Sequence, residues 1–191
     1  MEKLDVKRAI DLIFVAIVVG PLLPLLLLLA LAVRITSSGP ILYWSDRVGK
    51  DGRMFRMPKF RTMKFGTPAV ATHLMRDPGA VLTPLGGFLR KTSLDEIPQL
   101  WSVAAGNMSL VGPRPALFNQ DDLIRLRQEA GIDRLKPGIT GWAQINGRDE
   151  LPILTKVAYD REYMERQSLL LDCTIILRTA AKLLGDRTVI H

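Results

Sequence analysis

Two adjacent carboxylates, Asp95 and Glu96, stand in the run Ser93-Leu94-Asp95-Glu96-Ile97-Pro98. A purely structural explanation is a capping box, with Ser93 as N-cap and Glu96 reaching back from the third helical position. Pro98 fits that explanation badly, because it would then occupy the fifth helical position. With Asp95 as the cap instead, Pro98 falls inside the first turn, where its missing N–H does no harm. Both carboxylates then stand at a helix start. There they serve either as complements to the helix dipole or as a nucleophile and a metal ligand. Residue type alone leaves the two readings side by side.

Cations crowd this acidic pair along the chain. Lys59, Arg61, Arg90 and Lys91 precede it, and Arg114 follows in Val111-Gly112-Pro113-Arg114-Pro115. Taken singly, each reads as a solvated surface charge. Two prolines, however, restrict the backbone on both sides of Arg114. A solvated arginine gains nothing from such rigidity, whereas one gripping phosphate oxygens bidentately does. Farther on, the stretch from Lys136 to Arg148 places Gln144, Asn146 and Arg148 among three glycines and Trp142. That composition suits a nucleotide or sugar pocket, and equally a turn-rich connection. Dinucleotide and Walker glycine motifs, HExxH and the nucleophile elbow are absent. Cys173 is the sole cysteine, so no intrachain disulfide forms and a reducing, cytosol-facing environment is reasonable. Neither His73 nor His191 clusters with it, which argues against a transition-metal site.

The elements that must position these residues begin with an apolar block. Leu12 to Val33 is 22 residues without a charge or a hydrogen-bonding side chain. As a helix it covers roughly 33 Å, enough for a hydrocarbon core of about 30 Å. A signal peptide is the weaker reading, since the run is long and Arg34-Ile35-Thr36 offers no cleavage site. Gly20-Pro21 and Pro24 fall mid-segment, where each proline costs about 3 kcal/mol locally. Both flanks are basic: Lys3, Lys7 and Arg8 precede the block, and Arg34 and seven more cations between 47 and 64 follow it. Excess Lys/Arg marks the cytoplasmic side, and here both ends qualify. A helix broken at Pro21–Pro24 that enters one leaflet and returns satisfies both observations. Asp11 is spaced to pair with Lys7 or Arg8.

Beyond the turn cluster Ser37-Ser38-Gly39-Pro40, the runs 54–57 and 59–63 alternate apolar and cationic residues, as short strands or an interfacial surface do. A short helix is expected around Ala71–Arg76, and a helical pattern runs from about Asp95 to Ala105. Asn107 to Pro115 reads as a loop, and Asn119 or Asp121 as the cap of a helix ending before Gly131. Lys136 to Arg148 reads as a second loop, followed by a helix from Pro152 to Arg166. Leu169 to Leu184 is apolar but carries Asp172, Arg178 and Lys182, so core or interface packing is expected rather than a second span. The 191 residues suffice for one modest domain. A net charge of +7 suits anionic lipid, nucleic acid or phosphorylated substrates, and does not choose among them.

With those residues in view, the chain resembles the monotopic phosphoglycosyl transferases, bacterial sugar transferases that begin glycan assembly on undecaprenyl phosphate. The likeness covers almost the whole chain. It includes Lys7-Arg8 with Asp11, Lys59-Phe60-Arg61-Thr62-Met63, and Arg90 followed by 93–100. It continues through Gly106-Asn107-Met108-Ser109-Leu110-Val111-Gly112-Pro113-Arg114-Pro115 and the whole of 134–148. The chain looks like the minimal form of the family, without the extra N-terminal membrane domain of larger relatives. Leu23-Pro24 stands where many relatives have Ser-Pro at the break of the membrane helix.

The resemblance implies an α+β, mainly helical fold. A re-entrant helix over 1–36 would anchor a small cytoplasmic catalytic domain over 37–191, with amphipathic interfacial helices and short strands. It implies that Asp95 attacks the β-phosphate of a UDP-sugar, expelling UMP and leaving an aspartyl-phosphosugar for undecaprenyl phosphate to take. It implies Mg2+ as cofactor with Glu96 as its ligand. Lys59, Arg90 and Arg114 would neutralise phosphate, with Gln144, Asn146 and Arg148 near the nucleotide or sugar. The enzyme would sit on the cytoplasmic face of the bacterial inner membrane, at the first membrane step of a surface glycan such as capsule or lipopolysaccharide. Thr67 to Met75 and Pro115 to Gln120 look most like members whose donor carries an N-acetylated 6-deoxyhexosamine. A non-catalytic adaptor binding anionic lipid through 47–64 explains the charge but not the acidic pair. Nucleic acid is not an expected partner, because no recognised motif accompanies the basic stretch.

Overall fold

The computed structural model describes residues 2–68, 77, 79–147 and 151–185. It is mainly helical with two small sheets. Helix α1 spans Glu2–Thr36, and strands β1 (Leu42–Val48) and β2 (Met54–Phe60) form an antiparallel hairpin. Asp51 and Gly52, at φ of 55° and 73°, turn that hairpin in the left-handed region that short polar residues and glycine tolerate. Pro58 is accommodated because β2 is an edge strand, in the order β2-β1-β4. Next come α2 (Gly86–Lys91), a 3-10 turn over Leu94–Gln99, α3 (Leu100–Ala104), β3 (Ser109–Val111) and β4 (Ala116–Leu117). The chain continues with α4 (Asp121–Glu129), β5 (Gly138–Thr140), α5 (Trp142–Asn146), α6 (Ile153–Arg166) and α7 (Leu169–Gly185).

Several expectations are corrected here. The stretch 107–115 is not a plain loop, because β3 pairs in parallel with β5, and 136–148 holds both β5 and α5. Three-residue strands are too short to show a period in the sequence. Their approach depends on Gly112, Gly138 and Gly141: a Cβ on any of them would lie within 2.4 Å of backbone atoms of the facing segment. Neither Asn119 nor Asp121 caps α4. Gln120 holds the cap position and bonds back to the Leu117 N–H at 2.8 Å. The second short strand ends at Phe60, and Met63 makes only an isolated bridge to Leu82. The helix expected at 71–76 lies outside the described residues.

Helix α1 continues through Pro21 and Pro24 as one helical element, where the sequence predicts a break. Two prolines three residues apart remove only two N–H donors, and flanking groups can compensate in a membrane setting. It is the one helix among the described residues that is long and apolar enough to cross a membrane, and only 11% of its most apolar window is buried. Both halves nevertheless pack on the same body. Val15 and Val19 join a core of Met57, Val103, Met108, Val111, Tyr163 and Ile175. Leu29 and Val33 pack with Phe60 and Leu89 in a second cluster. Ile17, Leu23, Leu27, Leu28 and Leu31 face outward.

Polar contacts fix the base of α1, and they differ from the local pairing expected for Asp11. Arg8 donates to the carbonyls of Val103 and Ala104, satisfying the C-terminal end of α3. Lys7 pairs with Asp172 of α7, which also accepts from Tyr163 Oη at 2.7 Å. Asp11, almost fully buried, accepts from the Leu110 N–H at 3.2 Å.

Candidate active site

The acidic pair lies in a 3-10 turn rather than at an α-helix start. Ser93 precedes the turn in the left-handed region, at φ 56°, and its side chain caps nothing. Asp95 is inside the turn and is not its cap. Both capping explanations therefore fail. A non-glycine residue held there costs about 1–2 kcal/mol, so the chain carries a local strain directly before the two carboxylates.

Strand β2 packs against this turn and delivers Lys59, whose Nζ donates to Glu96 Oε1 at 2.6 Å. Arg114 donates to the same oxygen at 2.9 Å from the loop between β3 and β4. Burial alone would raise the Glu96 pKa, but the Arg114 and Lys59 charges and their hydrogen bonds outweigh it and hold the carboxyl well below its ordinary value. Lys59 itself is pushed down by burial, against the pull of Glu96.

Asp95 differs. It is 7% exposed, and among the described residues it takes no hydrogen bond and no ion pair. Burial raises its pKa to about 6, and the charge of Glu96 pushes the same way, opposed by Lys59, Arg90 and Arg114. Arg90, on α2, bonds Thr62 Oγ1 at 3.0 Å while its charge acts on both carboxylates. The structure thus gathers Asp95, Glu96, Lys59, Arg90 and Arg114 into one site. Arg61 and Lys91 do not join it. Arg61 lies over the rings of Tyr43 and Phe65 and bonds the Pro40 carbonyl, and Lys91 is exposed.

The remaining sequence candidates divide. Gln144 Oε1 and the Gly112 carbonyl both crowd the place a Cβ on Gly141 would take, at 2.7 and 2.1 Å. Gln144 therefore lies beside the loop that carries Arg114. Both polar atoms of its amide are buried without a partner among the described residues, as a group awaiting a ligand or water would be. Asn146 instead bonds its own helix, at the Trp142 carbonyl, and α5 packs on α6 and α7. Arg148 lies outside the described residues.

A divalent cation can be tested against these groups. Lys59 and Arg114 both donate to Glu96 Oε1, and among the described residues neither donates to Oε2 and Asp95 has no ion pair. These are hard oxygen donors of the kind Mg2+ takes, one or two carboxylates beside substrate phosphates. Among the described residues no three His, Cys, Asp or Glu side chains converge, so further ligands must come from substrate and water. On that basis the donor set fits the ion.

A family model described as bacterial sugar transferase matches residues 2–186, nearly the full chain. The chain belongs to the bacterial sugar transferase family. Among its relatives, a UDP-glucose:undecaprenyl-phosphate glucose-1-phosphate transferase of Escherichia coli is 40% identical over 185 residues. That match covers 92% of this chain and 39% of the relative. A UDP-galactose-lipid carrier transferase of Erwinia amylovora is 38% identical, over 91% of this chain and 39% of its own. The exopolysaccharide production protein ExoY of Sinorhizobium fredii is 35% identical, over 91% of this chain and 83% of its own length. The chain thus spans about two fifths of the two longer relatives.

Sequence reasoning missed two residues in this sugar transferase that bear on the site, Arg127 and Asp160. Arg127 bonds the Arg114 carbonyl at 2.7 Å and Asp160 at 2.6 Å. Only the spacing of Arg127 on the inner side of α4, opposite exposed Arg125, could have singled it out.

Proposed function

We propose that this family member transfers a phosphosugar from a UDP-sugar to undecaprenyl phosphate, with Asp95 as nucleophile. The observation that carries the reading is the contrast within the acidic pair. Asp95 is buried, has no ion pair among the described residues and is raised to about 6, while Glu96 is held ionised by two cations. A nucleophile needs an available lone pair, and Asp95 has one at physiological pH. An Asp95 oxygen forms a bond to the β-phosphorus of the donor, the bond from that phosphorus to the bridging oxygen breaks, and UMP leaves with the electron pair. An undecaprenyl phosphate oxygen then attacks the same phosphorus and returns Asp95 to its carboxylate. Lys59, Arg90 and Arg114 offset the phosphate charge that would otherwise repel a carboxylate, and Gln144 offers a buried amide to the nucleotide or sugar. Mg2+ bound at Glu96 would supply further neutralisation of the diphosphate.

Residues 1–36 are read as the membrane anchor and 37–191 as the catalytic domain on the cytoplasmic face of the inner membrane. Re-entry rather than crossing is supported by the way both halves of α1 pack on one body. A bitopic span would carry one end away from it. For the donor, relatives named for glucose and galactose stand against the N-acetylated 6-deoxyhexosamine suggested by 67–75 and 115–120, part of which lies outside the described residues.

The test is UMP release by purified protein with Mg2+, undecaprenyl phosphate and UDP-glucose, UDP-galactose and UDP-linked N-acetylated 6-deoxyhexosamines, beside Asp95→Asn. Release with one donor, abolished in the variant, is expected. Silence with every donor would favour a lipid-binding adaptor, and unchanged release by Asp95→Asn would end the mechanism.

A further inference from the structure

Three consecutive carbonyls in the Arg114 loop are each taken by a different element. The Gly138 N–H donates to Pro113 O at 2.9 Å, Arg127 Nη1 to Arg114 O at 2.7 Å, and Arg47 Nη1 to Pro115 O at 3.0 Å. Pro113 and Pro115 are themselves buried, so these bonds act together with packing. The loop also borders an open pocket of about 40 Å3 lined by Pro113, Pro115, Ala116, Ile124 and Arg127.

The bond in the middle is anchored by a buried ion pair. Arg127 also donates through Nε and Nη2 to Asp160 Oδ2, at 3.0 and 2.6 Å. Asp160 on α6 has a side chain 2% exposed, and that of Arg127 is 11% exposed. The guanidinium fork is planar, so bonding Asp160 through one edge fixes where its other donor points. That donor meets a main-chain atom of the residue whose side chain reaches Glu96.

We infer that Arg127 and Asp160 form a positioning device for Arg114. The pair clamps the main chain at residue 114, and the side chain is left to exchange Glu96 for a donor phosphate without the loop moving. This rests on the proposed role of Arg114 as a phosphate ligand. Neither Arg127 nor Asp160 touches the carboxylates or the substrate in this account.

UDP with Mg2+ is the probe, its dissociation constant read by calorimetry on detergent-solubilised full chain. Arg127→Leu/Asp160→Leu removes both charges together, so neither is left buried and unpaired. Its melting temperature should stay near that of the wild type, and its UDP affinity should fall about tenfold or more. On an Arg114→Ala background, itself weakened, the same two changes should shift affinity less than twofold, because nothing is left to position. Wild-type affinity in the double variant, or an equal loss with and without Arg114, would overturn the inference. If the double variant fails to fold, Arg127→Lys replaces it. A single ammonium keeps the charge facing Asp160 without bridging to residue 114, and the same pattern of outcomes decides. Unweakened UDP binding by Arg114→Ala is a distinct result, and it would remove the phosphate role and this inference together.

Discussion

Asp95 and Glu96 are neighbours in one 3-10 turn, yet their carboxyl groups are driven in opposite directions. Glu96 shares one oxygen between Lys59 and Arg114 and is held well below the carboxylate range. Asp95 has no such partner among the described residues, and burial lifts it to about 6. Pairs of carboxyls pushed apart by their surroundings are how a site assigns two roles to one residue type.

The first consequence concerns pH and rate. The attacking form of Asp95 is the carboxylate, so kcat/KM should fall as pH drops through about 6, approaching tenfold per unit below it. UMP release measured from pH 5 to 8 checks this. A flat profile down to pH 5 would show that the rate does not depend on Asp95 being ionised.

Stability should move the other way. Asp95 binds its proton more tightly folded than unfolded, so its contribution is fully present below the unfolded value of 3.8 and is lost as pH rises through about 6. At pH 7 the native state therefore carries a penalty on the order of 1–3 kcal/mol. Asp95→Asn should raise the melting temperature at pH 7 and leave it nearly unchanged near pH 4, while abolishing turnover. An equal or lower melting temperature at pH 7 would contradict the burial of an unpaired charge.

Replacing Glu96 should hurt both properties. Glu96→Gln leaves Lys59 and Arg114 without their shared anion, and roughly 2–3 kcal/mol of stability should be lost, less than for a fully buried pair because Glu96 is a fifth exposed. UMP release should drop about 100-fold or more, and added Mg2+ should not restore it. Full recovery at high Mg2+ would show that Glu96 acts only through the ion site, and wild-type release at ordinary Mg2+ that it neither binds the ion nor orders the cations.

Topology has its own measurement. In a Cys173→Ser background, Lys3→Cys and Ser38→Cys flank α1, and an impermeant thiol reagent is applied to intact cells. Both positions should stay unlabelled until the cells are lysed. Labelling of either from outside would mean that α1 crosses the membrane.

How much of this was readable beforehand depended on distance along the chain. Asp95, Glu96 and the proline-flanked Arg114 announced themselves by residue type, and strand 54–57 and the helices after Pro152 by pattern. Strands β3 and β5 did not, because three residues carry no usable period and their pairing rests on glycine contacts across some thirty positions. The links from Lys7 to Asp172 and from Asp11 to the Leu110 N–H were likewise invisible, and local helical spacing suggested the wrong partners. Arg127 was missed because it acts on a backbone carbonyl, which leaves no mark in side-chain composition.

As the nucleophile, Asp95 must carry the donor's phosphosugar as a covalent adduct, and intact-protein mass spectrometry tests this directly. The protein is mixed with Mg2+ and its UDP-sugar without undecaprenyl phosphate, quenched in acid and weighed. One phosphosugar should be added per chain, located by fragmentation to the peptide containing Asp95, with an equal burst of UMP and neither signal in Asp95→Asn. No adduct, with UMP appearing only once the lipid phosphate is present, would contradict the account and point to direct transfer between the two substrates.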